Sequence, residues 1–478
     1  MAAIDATVVG IALPAIGQEF HASLADLQWV VTAYTLTLAG LLLVAGALGD
    51  RYGRRRVFLV GVVWFALASV LCGLATSANV LIAARALQGV GAALLTPGSL
   101  AIIEASFHPD DRGRAIGAWS AFGGVGTAIG PFLGGWLIQV VSWRLIFAIN
   151  LPFAALVVAV TWRHVPETRD TAETGPVDVM GGLLVTLGLI GLTYGLIDGP
   201  TAGWSQPAPL TALISGLILL AAFLVRERRA RAPVLPLSLF SSAQFSSANV
   251  VTFVVYAALG GALFLLPIQL EQVSGYTALQ AGISLLPVTA IMLLLSARSG
   301  ALAARIGPRL QLTAGPIVIA AGLALFARIG HSGNYLTEVL PAVLVFGFGL
   351  AINVAPLTST VLAAAPAHNA GAASAVNNDV ARAAGLIAVA VLPAAAGLTG
   401  SAYLHADTFS SGYKTASFIS AGLCVLGGAL AAVTIRNPCP AAREPAAPEA
   451  VAAVAPGSRA LLHCGLDSPP PRSAQSIS

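Results

Sequence analysis

Hydropathy along the chain rises and falls as a succession of long apolar runs separated by short polar stretches. The runs recur at about 1–18, 28–48, 57–76, 79–105, 114–141, 144–162, 179–198, 210–225, 247–270, 278–304, 311–329, 336–363, 371–400 and 414–435. A helix needs ~20 largely apolar residues to cross the hydrocarbon core of a bilayer, so the pattern predicts fourteen membrane helices. Those at 1–18 and 210–225 are short, and polar stretches at 163–178 and 226–246 bracket the pair 179–198 and 210–225. After Arg436 the pattern stops: residues 437–478 are rich in Pro, Ala and Ser, which predicts a disordered tail.

The arginines turn this pattern into a topology. Loops after even-numbered runs hold Arg51, Arg54, Arg55, Arg56, Arg112, Arg114, Arg163, Arg169, Arg226, Arg228, Arg229, Arg231, Arg305 and Arg309. Loops after odd-numbered runs hold Arg144, Arg328 and Lys414, all at run edges. Basic residues concentrate in cytoplasmic loops, so fourteen against three predicts an even span count with both termini in the cytoplasm. Composition agrees with a multi-pass protein of the cell membrane. Charged residues make up 9% of the chain, against roughly 25% in soluble domains, and 57% of residues are hydrophobic. The expected class is an all-α polytopic membrane protein whose partners are the lipid bilayer and whatever small molecules it handles.

Charge and motifs exclude other classes. The net charge of +4 is scattered over run ends rather than gathered on one face, which argues against nucleic acid. The one lysine, Lys414, follows Ser411-Gly412-Tyr413 and completes no phosphate loop of the form G-x-x-x-x-G-K-[ST]. The four cysteines form no C-x-x-C pair and no Cys/His ligand spacing, so no metal, cofactor or disulfide framework is expected. No nucleophile constellation or paired-histidine motif argues for an enzyme, and no soluble signalling domain argues for a sensor. A periplasmic adaptor would be a compatible partner, but no segment of the sequence argues for one.

The chain also echoes itself. Residues Gly46 to Gly61 return 254 positions later as Gly300 to Gly315. Identical pairs are Gly46/Gly300, Ala47/Ala301, Leu48/Leu302, Arg51/Arg305, Gly53/Gly307, Arg55/Arg309 and Gly61/Gly315. Both copies join an even run to an odd one, as expected for two halves repeated in parallel; chance matching of Gly, Ala, Leu and Arg is the alternative. The copies follow the second and the tenth runs, so two spans stand between equivalent halves.

Three segments carry chemistry. Gly46-x-Leu48-x-Asp50-Arg51-x-Gly53-Arg54-Arg55 offers glycines for a tight turn and charges that can latch helix ends, beside a plain role as positive-inside anchor. Arg85, in the fourth run, is costly in lipid and should face a polar cavity or a partner, unless it snorkels outward. Gly126-Thr127-Ala128-Ile129-Gly130-Pro131-Phe132-Leu133-Gly134-Gly135 places a flat glycine stripe and a kinking proline on the fifth run.

With Asp5-Ala6-Thr7 and Ala12-Leu13-Pro14 in the first run, and Trp143-Arg144 to Asn150-Leu151-Pro152 at the sixth, the chain resembles the fourteen-span drug:proton antiporters of the major facilitator superfamily (EmrB/QacA type). The resemblance covers residues 1 to about 436. It departs at Gly10, where the family's first-span motif has asparagine, and at the start, where members carry a longer apolar run before the aspartate. At 1.5 Å per residue, 1–18 reaches only ~27 Å, so either the true start lies upstream or the first span is short.

The resemblance implies a major facilitator fold with six-helix bundles at 1–163 and 235–436, a two-span insert at 164–234 and the tail at 437–478. It implies export of hydrophobic or amphipathic compounds in exchange for protons, with a dedicated exporter of one metabolite or antibiotic as the alternative. Asp5 and Arg85 become the proton-coupling residues. Gly46, Asp50, Arg51, Gly53, Arg54 and Arg55 become a conformational-switch loop, and Gly126, Gly130, Pro131, Gly134 and Gly135 the antiporter motif. Of the other acids in the runs, Asp379 stands three residues before Arg382, the spacing of an intrahelical ion pair that would serve structure or coupling. Glu104, Asp178 and Asp198 lie near run ends.

Overall fold

Short polar motifs decide where many of the helices begin. Ser23 and Asp26 form a reciprocal capping box, Asp26 N donating to Ser23 Oγ at 3.1 Å and Ser23 N to Asp26 Oδ2 at 2.8 Å. Thr277 and Gln280 do the same, while Ser77, Asp178 and Ser242 cap singly. The computed structural model describes residues 1–169, 178–230, 235–366, 369–400 and 405–437. The expected tail falls almost wholly outside these residues, as do the side chains of Glu104 and Arg112.

The elements are α1 (Ala2–Phe20), α2 (Leu24–Tyr52), α3 (Arg54–Gly73), α4 (Ala78–Ser106), α5 (Pro109–Val140), α6 (Leu145–Ala148), α7 (Asn150–His164), α8 (Val179–Ala202) and α9 (Pro207–Arg229). They continue with α10 (Ala243–Ile268), α11 (Ala278–Ser284), α12 (Leu286–Ile306), α13 (Arg309–Phe326), α14 (Leu340–Ala363), α15 (Ala370–Ala395) and α16 (Ala406–Thr434). The body of every apolar run lies on helix, although 57–76, 311–329 and 371–400 extend past the ends of α3, α13 and α15. By length and apolarity, 12 spans qualify among the described residues. A thirteenth is added if the two parts of α2, bent by 51°, count as one. The expected segment 114–141 lies in α5, whose 32 residues are not among the qualifying spans, so the expected fourteen are not all reached among the described residues. Both helices expected to be short run longer: α1 has 19 residues and α9 has 23, and both qualify as spans.

Helices α1–α7 pack as one bundle and α10–α16 as another. Within each, one crossing is held by glycines. A Cβ added at Gly61 would stand 2.8 Å from Leu94 Cβ, and one at Gly91 2.7 Å from Phe65 N, so α3 and α4 touch backbone to backbone. In the second bundle Gly315 meets Asn353 Cβ at 2.9 Å and Gly349 meets Ile319 N at 2.5 Å, giving the same contact between α13 and α14. Gly61/Gly315 and Phe65/Ile319 are 254 residues apart on α3/α13 and Gly91/Gly349 258 apart on α4/α14, and this register carries the loop echo into the three-dimensional packing.

The insert, α8 and α9, forms a hairpin whose glycines at 188, 191, 195 and 216 let its two helices close up. Asp178, at the start of α8, accepts from Arg226 Nε at 2.9 Å and from Gly181 N at 2.9 Å. The Arg226 hydrogen bond holds its carboxyl below the usual aspartate range. Helix α8 lies against α2 and α15, one from each bundle, where Leu36, Leu189 and Leu386 form a small buried cluster.

Candidate functional site

A buried polar network sits in the middle of the first bundle. Asp5 on α1 and Arg85 on α4 are 2% and 1% exposed, and Arg85 Nη1 lies 2.5 Å from Asp5 Oδ2. The carboxylate's other oxygen accepts from Gln88 Nε2 at 2.8 Å and Asn150 Nδ2 at 3.1 Å. Ser69 Oγ on α3 takes the second hydrogen of each amide, at 2.8 and 3.2 Å, and donates to Phe65 O at 2.8 Å. Arg85 also donates to Gln88 Oε1 at 2.5 Å and from Nε to Val30 O at 3.2 Å, and its guanidinium lies 4.4 Å from the Tyr34 ring centroid. Five helices, α1, α2, α3, α4 and α7, thus close around one ion pair. Removing one partner of such a pair leaves an uncompensated buried charge, at a cost of about 3–5 kcal/mol.

Arg85 does not snorkel: it points into the bundle. Asp5 and Arg85, 80 positions apart, are brought together as the need for a partner demanded. Gln88, Ser69 and Asn150 complete the site without having been assigned a role from sequence. The signal was faint: neutral polar side chains in apolar helices.

Between the bundles, α1, α2, α4, α10 and α15 enclose a cavity of about 250 Å³, close to the lower end of small-molecule pockets. Its wall is largely apolar, with Thr32, Tyr34 and Thr35 supplying hydroxyls, Arg85 reaching it from the first bundle and Arg382 from the second. Asp379 and Arg382 form no ion pair of 4.0 Å or less. Instead Asp379 Oδ1 and Arg382 Nε are buried without hydrogen-bond partners. The i, i+3 spacing therefore gives one helix face but not a contact.

The glycine stripe of α5 is pressed against the helix that carries Asp5. A Cβ at Gly126 would stand 3.3 Å from Ile4, one at Gly134 2.9 Å from Val8, and one at Gly130 would overlap the Thr7 hydroxyl. Gly135 is backed by α11, where Leu279 Cα would lie 2.7 Å from an added Cβ, and the Pro131 carbonyl abuts Gly282. This stripe and Gln28, whose Nε2 donates to Val389 O at 2.5 Å, join the two bundles at the end opposite the arginine-rich loops.

The loop between α2 and α3 is a latch. Gly53 adopts φ +114°, open to glycine and strained for other residues. Asp50 pairs with Arg54 at 2.7 Å; Arg51 is exposed beside Tyr52; Gly46 passes Pro97 on α4. Arg55 N donates to Glu167 Oε1 at 3.1 Å and its Nη1 to Val165 O at 2.9 Å, just past the end of α7. Glu167 is the residue that sequence reading missed. The second bundle repeats the device: Gly307 has φ +86°, Arg309 N donates to Asn437 Oδ1 at 3.0 Å, and Arg309 Nε donates to Ala432 O at 2.9 Å. Glu167 and Asn437 each stand three residues beyond the last helix of their bundle.

Known proteins place this arrangement. Over 397 residues the chain is 38% identical to the tetracenomycin C resistance and export protein of Streptomyces glaucescens, covering 82% of this chain and 73% of that one. It is 35% identical over 457 residues to the puromycin resistance protein pur8 of Streptomyces alboniger, covering 92% and 90%. Among solved structures, the POT family transporter PepTSo superposes with a TM-score of 0.65 at 14% identity, over 90% of this chain and 95% of that one. A bacterial homolog of the human lysosomal transporter Spinster, inward-facing and occupied, gives 0.60 at 18% identity, over 92% and 96%. The family model of the Major Facilitator Superfamily matches residues 1–390. The chain is a multi-pass membrane protein of the Major Facilitator Superfamily, a family of transporters rather than enzymes.

Proposed function

We propose that this chain exports hydrophobic or amphipathic compounds across the cell membrane in exchange for protons. The observation that carries this reading is the buried Asp5–Arg85 pair at the wall of the cavity between the bundles. Arg85 belongs to both the network and the cavity lining, so the charge state of Asp5 and the occupancy of the cavity act on one guanidinium. A proton on Asp5 cancels the ion pair and frees Arg85 to turn toward a ligand. Loss of the proton draws it back. The membrane potential adds ~2.3 kcal/mol per charge per 100 mV to such a cycle.

The two bundles, 1–163 and 235–436, rock about the cavity, and the insert 164–234 completes a fourteen-span membrane domain with both termini in the cytoplasm. In that orientation the bundles touch at their outer ends and the cavity faces inward. The Asp50–Arg54 pair and the Glu167 latch hold the inner end of the first bundle while the α5 stripe transmits tilt to α1.

Relatives named for single antibiotics, among them a methylenomycin A resistance protein of Streptomyces coelicolor at 34% identity, favour a second reading, dedicated export of one compound. Vesicles with an imposed pH gradient and a panel of dyes and antibiotics separate the two. Extrusion of many panel members supports broad export, and extrusion of one supports dedicated export. A pH gradient that drives nothing sinks the antiport reading.

A further inference from the structure

We propose that Arg382 is a docking residue for an anionic group, so that the favoured ligands of the central cavity are amphipathic acids rather than cations. The proposal deepens the export reading, since it assigns a ligand chemistry to the same cavity. Two guanidiniums line that cavity, and no acidic residue lies among the described residues of its wall. They are not equivalent. The charge of Arg85 is consumed: it faces the Asp5 carboxylate at 2.5 Å, shares Gln88 and lies over the Tyr34 ring. Arg382 has neither carboxylate within ion-pair distance nor an acceptor for its buried Nε. Asp379, one turn earlier on α15, does not line the cavity, and its Oδ1 is also unpartnered.

A guanidinium against apolar walls, attracted by Asp379 only from beyond ion-pair distance, is held at an electrostatic cost. That cost is offset when a planar anionic acceptor takes the donor fork, which makes charge-assisted bonds with carboxylate-like oxygens. Phe264 and Leu386 cover an apolar body, while the Thr32 and Thr35 hydroxyls already donate to Gln28 O and Val31 O, which leaves Arg382 to meet the anion. A cation entering the same space would meet Arg382 with no carboxylate in the wall to balance it. The ligand class is therefore a compact amphipathic molecule with an apolar body and one ionised acidic group.

The test is equilibrium binding to the purified full-length protein in detergent, read by fluorescence anisotropy, with fluorescein as the anionic probe and ethidium as the cationic one. Fluorescein should bind saturably and at least tenfold more tightly than ethidium. Arg382→Gln should weaken fluorescein binding tenfold or more while moving ethidium by less than threefold, and Arg382→Lys should restore part of the loss. Equal or tighter binding of ethidium, or fluorescein binding unchanged in Arg382→Gln, overturns the proposal. Thermal unfolding of each variant identifies any that fail to fold; Arg382→Met, which keeps the length of the side chain without its charge, then takes the same test. The same proteins in vesicles keep the two readings apart. Arg382-dependent fluorescein binding without proton-driven transport of either probe upholds the ligand class and removes proton-coupled export.

Discussion

The two bundles share a plan and differ in what they bury. The glycine crossings align Arg85 with Val343 and Gln88 with Phe346 on α4 and α14, and Ser69 with Leu323 on α3 and α13. All six are buried, but the first bundle holds a charged, hydrogen-bonded network where the second is apolar. A repeat built from one template has therefore divided its labour. In these layers one half carries an ion pair and the other a packed apolar counterface, while Asp379 and Glu271 of the second bundle, each with a buried carboxylate oxygen, lie outside them. The latches differ in the same sense: a carboxylate, Glu167, serves the first and a neutral amide, Asn437, the second.

The largest expected effect tests that division directly. Asp5→Asn should abolish proton-driven efflux, at least a hundredfold in vesicle assays, while the protein still inserts. Phe346→Leu, in the matching layer of the second bundle, should leave coupling intact and lower stability by about 1 kcal/mol, within the range for conservative core swaps. Comparable loss of coupling in both would erase the contrast.

Next in size is the α5 stripe. Gly130→Leu must push α1 away at Thr7 and should cut transport tenfold or more, whereas the same change at Gly422 on α16, where an added Cβ meets nothing within 4 Å, should be nearly silent. A fully active Gly130→Leu protein would reduce the stripe to filler.

These first two comparisons concern features already legible in the sequence. An arginine inside an apolar run announces a partner, and glycines at every fourth position announce a close neighbour. The partners themselves were not legible. Asn150 lies 145 positions from Asp5, Ser69 lies 19 and 81 from the two amides it joins, and Glu167 lies 112 from Arg55; neutral residues in helices, and a lone acid beyond a helix end, leave no periodic trace. The Asp379–Arg382 spacing shows the opposite failure: right on one helix face, yet the two groups stop short of ion-pair distance because local spacing does not fix rotamers. Span lengths were underestimated at α1 and α9 because polar end residues continue the helix beyond the apolar run.

A smaller effect separates the latches. Glu167→Gln should lower the thermal midpoint of the purified protein by an amount that shrinks as salt rises, since exposed pairs are worth ~0.2–1 kcal/mol and are screened. Asn437→Ala should give a salt-independent change of similar size. Matching salt responses would remove the distinction between a charged and a neutral clasp.

The smallest concerns the insert. Because the carboxyl of Asp178 titrates below its ordinary 3.8, the clasp to Arg226 contributes stability that is present above that value and lost as pH falls through the lower folded value. The difference in thermal midpoint between the natural protein and Asp178→Asn should therefore be constant from pH 5 to 7 and close below about pH 4. A difference that persists at pH 3 would assign the effect to packing.

The placement of α8 constrains how the molecule can move. Its neighbour α2 grips it through notches: a Cβ at Gly40 would stand 2.9 Å from Thr186 Cβ, and Gly182 receives Val44. Against α15 it presents a smooth aliphatic contact centred on Leu189 and Leu386, with Val185 and Ile387 beside them. If the bundles rock as proposed, a toothed contact on one side and a greasy one on the other would make the hairpin a passenger of the first bundle and a slide bearing for the second, so shear should fall on the aliphatic plane between α8 and α15.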